Sequence, residues 1–326
     1  MMTAVSEIPL PLDAFQGAQA RVSAYAYHTP LLTSRVLNER TGFDVRLKAE
    51  MFQRGGSYKI RGPLNKLALL SEEGKARGVI CSSAGNHAQG VALAARYYGI
   101  PAVVVMAENA TRSKIDATEG YGAEVVLKGQ IWDEANDEAV RLVEERGLAY
   151  IHPFDDLELI AGQGTLGLEL YEDFPEVEVV VVPIGGGGLI SGVSMALKAS
   201  NPTIHIIGVE SSGAPGMKRS VEEGHLVTLD EVECIIDGLR VKRVGATTLE
   251  VVKQCVDEIV TLPDRDIFDA VVWLMSYCKV VAEGAAASTV GALLHGLIDA
   301  PPGTRVACVL SGGNLDVSKL KGMSWN

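Results

Sequence analysis

The chain has 326 residues, of which 41 are acidic and 29 basic, giving a formal net charge of −12. Its hydrophobic content is typical of a globular protein, and its length predicts two packed lobes or one large domain. The acidic balance excludes a nucleic-acid partner, because binding to phosphate backbones requires a basic surface. An anionic ligand would therefore have to be held by backbone dipoles and a few placed cations.

Neither a targeting segment nor a membrane span is visible in the sequence. Residues 1–12 lack a basic region followed by an apolar one, and no apolar stretch has the length of a membrane helix. The five cysteines are scattered and odd in number, which predicts buried reduced thiols in place of disulfides or a zinc site. We expect a cytoplasmic protein with no membrane partner.

Short apolar strands alternate with helices along most of the chain. Strands are predicted at residues 79–81, 102–106, 124–127, 179–183, 204–210 and 305–310. Helices are predicted at residues 88–98, 113–121, 133–146 and 189–199. Continuous apolar strands of this kind predict an α/β fold of two lobes, each an open, doubly wound, mostly parallel sheet.

The domain organisation follows from where these units fall. Residues 75–153 contain about three strand–helix units and predict a small domain. Residues 1–74 and 154–326 then form a discontinuous large domain. No internal repeat and no Pro- or Ser-rich linker separates the two parts.

Four consecutive glycines, Gly185 to Gly188, lie between a predicted strand and a predicted helix. Without Cβ atoms, successive backbone N–H groups can converge on an anion, and the following helix N-terminus adds partial positive charge. The run lacks the Gly-Lys-Ser/Thr of a Walker loop and fits G-x-G-x-x-G spacing poorly. A flexible turn is the alternative, which the entropy of four glycines disfavours. The run predicts a phosphate site.

Three further polar turns are notable for their positions. One contains Lys59, and taken alone this lysine reads as a solvated surface residue. A second, residues 82–88, follows a predicted strand, and a third, at Ser311, ends another. Open α/β sheets bind ligands at the carboxyl ends of their strands. We therefore expect the turns and the glycine run to converge on one crevice.

Taken together, these motifs resemble the tryptophan-synthase-β-like (fold type II) pyridoxal-phosphate enzymes. Within that family they are most similar to the serine/threonine dehydratase branch, which also contains serine racemase. The matching segments cover nearly the whole chain in family order: residues 29–31, 57–62, 83–90, 161–165, 185–188, 237–238 and 311–314.

The resemblance implies a role for each part of the crevice, with pyridoxal 5′-phosphate in the cleft between the lobes. Lys59 would be the Schiff-base lysine and would take the Cα proton of the substrate. The remaining cofactor contacts would come from Asn86 at the 3′ oxygen, Ser311 at the pyridine nitrogen, and Gly185, Gly186, Gly187, Gly188 and Leu189 at the phosphate. The substrate carboxylate would meet Ser83, Ala84, Asn86 and His87, largely through backbone N–H groups.

The implied reaction removes water from a β-hydroxy amino acid, such as L-threonine or L-serine, to give a 2-oxo acid and ammonia. A neutral hydroxyl at the pyridine nitrogen, as from Ser311, favours elimination over transamination. Racemases of the branch carry a serine where this chain has Ala84, so racemisation is disfavoured. Arg240 could bind a second substrate carboxylate, which makes a 3-hydroxyaspartate dehydratase the main alternative. A catalytically silent pyridoxal-phosphate-binding protein is the alternative outside this chemistry.

A divalent cation and a homodimer are two further expectations from the resemblance. Some members bind a metal through a glutamate, a backbone carbonyl four residues on and an aspartate two beyond. Glu210 and Ala214 fit this pattern, but Gly216 stands where the second carboxylate is needed. Hard cations require several oxygen ligands, so a weak site is expected.

Overall fold

Two β-sheets organise the chain in a computed structural model that describes residues 9–317. The large sheet has six strands in the order β1-β2-β10-β7-β8-β9. Their bounds are β1 Leu31–Thr33, β2 Asp44–Ala49, β7 Val179–Pro183, β8 His205–Ser211, β9 Glu258–Leu262 and β10 Arg305–Leu310. All pairs in this sheet are parallel except β1 with β2.

The small sheet has four parallel strands in the order β5-β4-β3-β6. They are β3 Val79–Ser82, β4 Ala102–Met106, β5 Glu124–Leu127 and β6 Ala149–Tyr150. All four fall inside the predicted small domain, whose limits at residues 75 and 153 stay a prediction.

Thirteen α-helices surround the two sheets within residues 9–317. They are α1 Leu12–Val22, α2 Arg35–Thr41, α3 Arg61–Ala68, α4 Glu72–Arg77, α5 Asn86–Tyr98, α6 Arg112–Gly120, α7 Trp132–Arg146, α8 Leu157–Asp173, α9 Gly188–Ser200, α10 Gly216–Glu223, α11 Ala246–Cys255, α12 Asp264–Trp273 and α13 Gly284–Leu294. The predicted strands and helices are confirmed, and each predicted boundary lies within two residues of the observed one.

The central strands are apolar throughout because helices cover both faces of each sheet. In the large sheet, Val181 faces a core that includes α12 and α13, whereas its neighbour Val180 faces α8 and α9. In the small sheet, Val104 faces α5 and Val103 faces α7. Side chains alternate between the faces of a strand, so two covered faces require the continuous valine runs. The predicted doubly wound, mostly parallel architecture is confirmed.

No helix among residues 9–317 has both the length and the apolar character that crossing a membrane requires.

Candidate functional site

A cavity of about 1560 Å³ lies where the carboxyl ends of strands from both sheets meet. Its walls include the turns that follow β3, β7 and β10, as expected for an open α/β sheet. Every residue predicted to bind cofactor or substrate lines this one cavity: Lys59, Ser83, Ala84, Asn86, His87, Gly185, Gly186, Gly187, Gly188, Leu189, Arg240 and Ser311. The predicted metal residues Glu210 and Ala214 are not part of its wall.

The glycine loop, Gly185 to Gly188, connects β7 to the N-terminus of α9. Among residues 9–317, no acceptor takes the backbone N–H groups of Gly185, Gly186 and Gly187. A Cβ on Gly186 or Gly188 would overlap Phe154, and Gly187 has φ of +96°, which favours glycine. The loop therefore offers unpaired donors at a helix N-terminus, which is a fitting cradle for a phosphate.

Lys59 lies in a short 3-10 turn, Tyr58–Ile60, that precedes α3. Its Nζ donates a hydrogen bond of 2.9 Å to the carbonyl oxygen of Pro153. The backbone of the turn packs against α5 at Gly90, where a Cβ would lie 2.6 Å from the Lys59 carbonyl oxygen. Burial lowers the pKa of Lys59 to about 8, and the nearby Glu283 carboxylate opposes that shift. The amine is thus a usable base near neutral pH.

Asn86 is held by two partners from distant parts of the chain. Its Nδ2 donates to the Glu283 carboxylate at 2.9 and 3.0 Å, and its Oδ1 accepts from Asn314 Nδ2 at 2.9 Å. Burial raises the pKa of Glu283 to about 7, although the Asn86 hydrogen bond acts in the opposite direction. The amide is fixed at the first residue of α5, facing the cavity that Lys59 also lines.

Glu283 is a cavity residue that the sequence prediction missed. It stands immediately before α13, and its backbone N–H donates to Gly312 beside the Ser311 turn. The available signal was a single charged residue in the otherwise apolar or small run 280–287. A carboxylate with a raised pKa in such a cavity is a candidate functional group.

His87 follows Asn86 in the first turn of α5, and its ring is buried. Its Nε2 lies 3.0 Å from the Ile151 carbonyl oxygen, so Nε2 carries the proton and donates. Burial lowers the pKa of His87 to about 3, and the charge of Lys59 acts in the same direction. His87 is therefore a neutral ring that anchors the turn, and its backbone lies at a helix N-terminus where a carboxylate is stabilised.

The Ser311 turn adjoins the Lys59 turn directly. The Ser311 carbonyl accepts from the Tyr58 N–H at 3.0 Å, and Gly312 forms an isolated bridge with Ser57. Ser311 itself is buried and lines the cavity. The convergence predicted for these turns is therefore observed, although they are more than 250 residues apart.

Arg240 lies at the exposed part of the cavity wall. Among residues 9–317, no acidic side chain forms an ion pair with its guanidinium, and Lys242 and Arg243 line the same wall. The guanidinium is thus available for an anionic group that enters the cavity.

Glu210 is the penultimate residue of β8, and its carboxylate caps a helix. Its two carboxylate oxygens accept from the N–H groups of Met217 and Lys218, at 2.7 and 2.8 Å, in the first turn of α10. Burial raises the pKa of Glu210 to about 7, against the effect of these hydrogen bonds. No group of three or more His, Cys, Asp or Glu side chains suited to a metal occurs among the described residues.

A buried ion cluster lies behind the Lys59 turn and consists of Lys48, Glu50, Arg61 and Glu169. Arg61 makes paired hydrogen bonds of 2.7 to 2.9 Å with Glu50 and Glu169, and Lys48 lies 2.9 Å from Glu169. All four side chains are almost fully buried. Burial alone would raise the pKa of Glu169, but Arg61 and Lys48 hold it below its usual value. Glu169 therefore keeps its charge, and the cluster fixes the start of α3.

Comparison with known proteins gives a consistent result across the chain. A family model described as "Pyridoxal-phosphate dependent enzyme" matches residues 22–312. The L-threonine ammonia-lyase of Thermotoga maritima is 49% identical over 95% of this chain and 77% of that protein. The catabolic L-threonine dehydratase of Escherichia coli K12 is 42% identical over 96% of both chains. The solved structure of maize serine racemase is similar with a TM-score of 0.92 and 36% identity, covering 95% of each chain.

Proposed function

The chain belongs to the pyridoxal-phosphate dependent enzymes, and we propose that it eliminates water from a β-hydroxy amino acid such as L-threonine or L-serine. The products are a 2-oxo acid and ammonia. The observation that carries the proposal is the placement of Lys59, with its lowered pKa, in the same cavity as a glycine loop of unpaired N–H donors. The relatives named as threonine ammonia-lyase and dehydratase support the substrate class.

The cavity fits pyridoxal phosphate by the chemistry of its walls. When bound, this group supplies an electron sink that weakens the Cα–H bond of an amino acid. The N–H groups of Gly185 to Leu189 would hold its phosphate, the Asn86 amide its 3′ oxygen and the Ser311 hydroxyl its ring nitrogen. Lys59 would hold it covalently.

Lys59 is the residue that we propose moves the proton. Because its pKa is about 8, part of the amine is neutral near physiological pH and can accept the Cα proton. The hydrogen bond to the Pro153 carbonyl keeps Nζ at a fixed point of the cavity wall. Fixing a base in this way reduces the entropy that the proton transfer would otherwise cost.

The turn of Ser83, Ala84, Asn86 and His87 is proposed to bind the substrate carboxylate. It lies at the N-terminus of α5, where backbone donors and the helix dipole favour an anion. Ala84 has no hydroxyl, so this turn lacks a side-chain proton donor at that position. The proposal therefore favours elimination over racemisation, despite the structural similarity to a serine racemase.

A second candidate substrate class is suggested by Arg240. Its guanidinium lines the cavity with two further cations nearby, and a bidentate contact to a second carboxylate would suit 3-hydroxyaspartate. This candidate shares the elimination chemistry with the first and differs only in the substrate side chain.

A substrate panel tests the proposal. Release of 2-oxo acid should be fastest from L-threonine or L-serine. Faster oxaloacetate formation from 3-hydroxyaspartate, abolished in Arg240→Ala, would establish the alternative. D-Serine formed from L-serine, followed by chiral chromatography, would contradict the argument from Ala84. A protein that retains the cofactor but turns over none of these substrates is a silent binder.

Three further predictions accompany the proposed function. A weak divalent-cation site at Glu210 and Ala214 would have to compete with the α10 N–H groups for the Glu210 carboxylate. The homodimer and the cytoplasmic location also stay predictions.

A further inference from the structure

The turn of residues 152–155, between β6 and α8, contacts the lysine and the glycine loop at once. The Pro153 carbonyl accepts from Lys59 Nζ, and Phe154 fills the space next to Gly186 and Gly188. His152 fixes the turn internally, because its Nδ1 accepts from the N–H groups of Phe154 and Asp155 at 3.2 and 2.7 Å. The turn thus sets the distance between the amine and the glycine loop.

Asp155 attaches this turn to the start of α11. Its Oδ1 accepts from Thr247 and Thr248 at 2.9 and 3.3 Å, and its Oδ2 accepts from Ala246 at 3.0 Å. The residue before α11 is Gly245, which has no side chain to cap the helix. A Cβ at this position would overlap Asp155. Asp155 therefore supplies from a distant segment the cap that this helix lacks locally.

Thr248 carries the link from α11 to the glycine loop. Its buried Oγ1 donates to the Gly186 carbonyl at 2.8 Å and lies 3.1 Å from the Gly245 carbonyl. A trans peptide unit is planar, with its C=O and N–H pointing in opposite directions. Holding the Gly186 carbonyl against Thr248 therefore directs the Gly187 N–H to the opposite side, as one of the unpaired donors of the loop.

We propose that Asp155 is a positioning residue for the phosphate cradle, acting through α11 and Thr248 on the Gly186–Gly187 peptide. The inference rests on the proposed function in one respect, since it takes the cradle to hold the cofactor phosphate. Asp155 lines the cavity, but its carboxylate accepts from the first N–H groups of α11 and not from those of the glycine loop. Replacing Asp155 is thus expected to weaken the binding of the cofactor's phosphate group and not that of the rest of the cofactor.

Holoenzyme variants test this by comparing the dissociation constants of pyridoxal phosphate and of pyridoxal, which lacks the phosphate. Asp155→Ala should raise the dissociation constant of pyridoxal phosphate about tenfold, which corresponds to the loss of one helix cap. The dissociation constant of pyridoxal should change less than about twofold. Thr248→Val, which keeps the side-chain volume, should give the same selective loss. Asp155→Asn, which retains one acceptor oxygen, should fall between Asp155→Ala and the unmodified protein.

Asp156→Ala is the matched control. Asp156 caps α8 through the Leu159 N–H at 2.9 Å and pairs with Lys66, but it has no bond to α11. We expect this variant to unfold more easily while its ratio of the two dissociation constants stays unchanged.

Two results would overturn the proposal. One is an equal loss of affinity for both ligands in Asp155→Ala, and the other is an unchanged affinity for pyridoxal phosphate in Thr248→Val. An unmodified protein that binds the two ligands equally would overturn it as well. Selective loss of pyridoxal phosphate in an enzyme that releases no 2-oxo acid would instead uphold the positioning role and reject the proposed reaction.

Discussion

Lys59 and Arg61 are two residues apart, yet they belong to two differently built sets of charged groups. Arg61 lies in the buried ion cluster, where each charge meets an opposite charge at hydrogen-bonding distance. Lys59, Glu283 and His87 line the cavity, and burial is the largest cause of the pKa shift of each. Opposite charge offsets it only partly at Lys59 and Glu283, and at His87 the charge of Lys59 adds to it. The pKa of Arg61 is raised and that of Glu169 is lowered, which favours their charged forms, whereas the pKa values of the cavity groups are shifted in favour of the neutral forms.

The difference shows how one short segment combines rigidity with reactivity. Breaking a buried ion pair leaves an uncompensated charge at a high cost in free energy, so the cluster fixes the backbone at the start of α3. The cavity groups gain pKa values of about 7 and 8 at Glu283 and Lys59, which are the values that proton transfer needs. The cluster holds the Lys59 turn in place, and Lys59 supplies a reactive amine to the cavity.

Removing the reactive amine should have the largest effect. Lys59→Ala is expected to lower 2-oxo acid release by about 10⁴-fold, because the base at the Cα proton is lost. Lys66→Ala, which removes a partly buried lysine that lies outside the cavity and pairs with Asp156 and Glu158, is the control and should retain activity. Comparable activity in both variants would show that Lys59 is not the base.

Breaking the buried ion cluster should affect stability more than chemistry. Glu169→Gln leaves Arg61 and Lys48 short of a negative charge, so the free energy of unfolding should fall by about 3–5 kcal/mol in urea titrations. Glu145→Gln removes an exposed partner of Arg141 and should cause no measurable change. An equally small effect at Glu169 would mean that the cluster is not a stabilising element.

Glu283→Gln should change the pH dependence of stability in the cofactor-free protein. Because burial raises the folded-state pKa from 4.5 to about 7, the folded form binds a proton that the unfolded form has lost. Stability from this group is therefore present below about pH 4.5 and is lost as the pH rises toward 7. The stability of the variant should not fall over this pH range. The fall avoided is up to about 3 kcal/mol, at about 1.4 kcal/mol per pKa unit. Equal slopes for both proteins between pH 5 and about 7 would contradict the raised pKa.

The smallest effect is expected from divalent cations. With Glu210 engaged by α10, we expect a dissociation constant of about 1 mM, so Mg²⁺ or Ca²⁺ at about 1 mM should stabilise the protein by only about 0.4 kcal/mol. Thermal unfolding of the parent and Glu210→Gln proteins with and without the cation measures this. A stabilisation of several kcal/mol that disappears in the variant would reveal a strong site.

The sequence was informative where local patterns determine the structure. The apolar runs at 102–106, 179–183 and 305–310 predicted strands at the observed bounds, because a strand covered on both faces must be apolar throughout. The four glycines predicted the anion cradle for a reason that is also local, because consecutive residues without Cβ atoms let their own N–H groups converge. β1 and β9 have partly exposed positions and shorter apolar runs, so the sequence did not predict them.

Contacts between distant segments could not be predicted in this way. Asp155 and Thr248 are 93 residues apart, and Asn86 and Glu283 are 197 apart, so no periodicity or spacing connects them. Glu210 shows the same limit. Glu210 and Ala214 fitted part of a local metal pattern, and that site stays a prediction, but only the three-dimensional arrangement reveals that the Glu210 carboxylate caps α10.

The pairing of β2 with β10 has a consequence for how the chain is made. Residues 44–49 lie next to residues 305–310 in the large sheet, so β2 cannot complete its pairing until residues 305–310 have left the ribosome. At typical rates of synthesis this interval is on the order of tens of seconds. The small sheet, with all its strands within residues 79–150, can form much earlier. Because the bridge from Ser57 to Gly312 closes the lysine site, we expect the cofactor to be acquired only after residue 312 has left the ribosome, and the unpaired β2 edge to be the segment that chaperones protect until then.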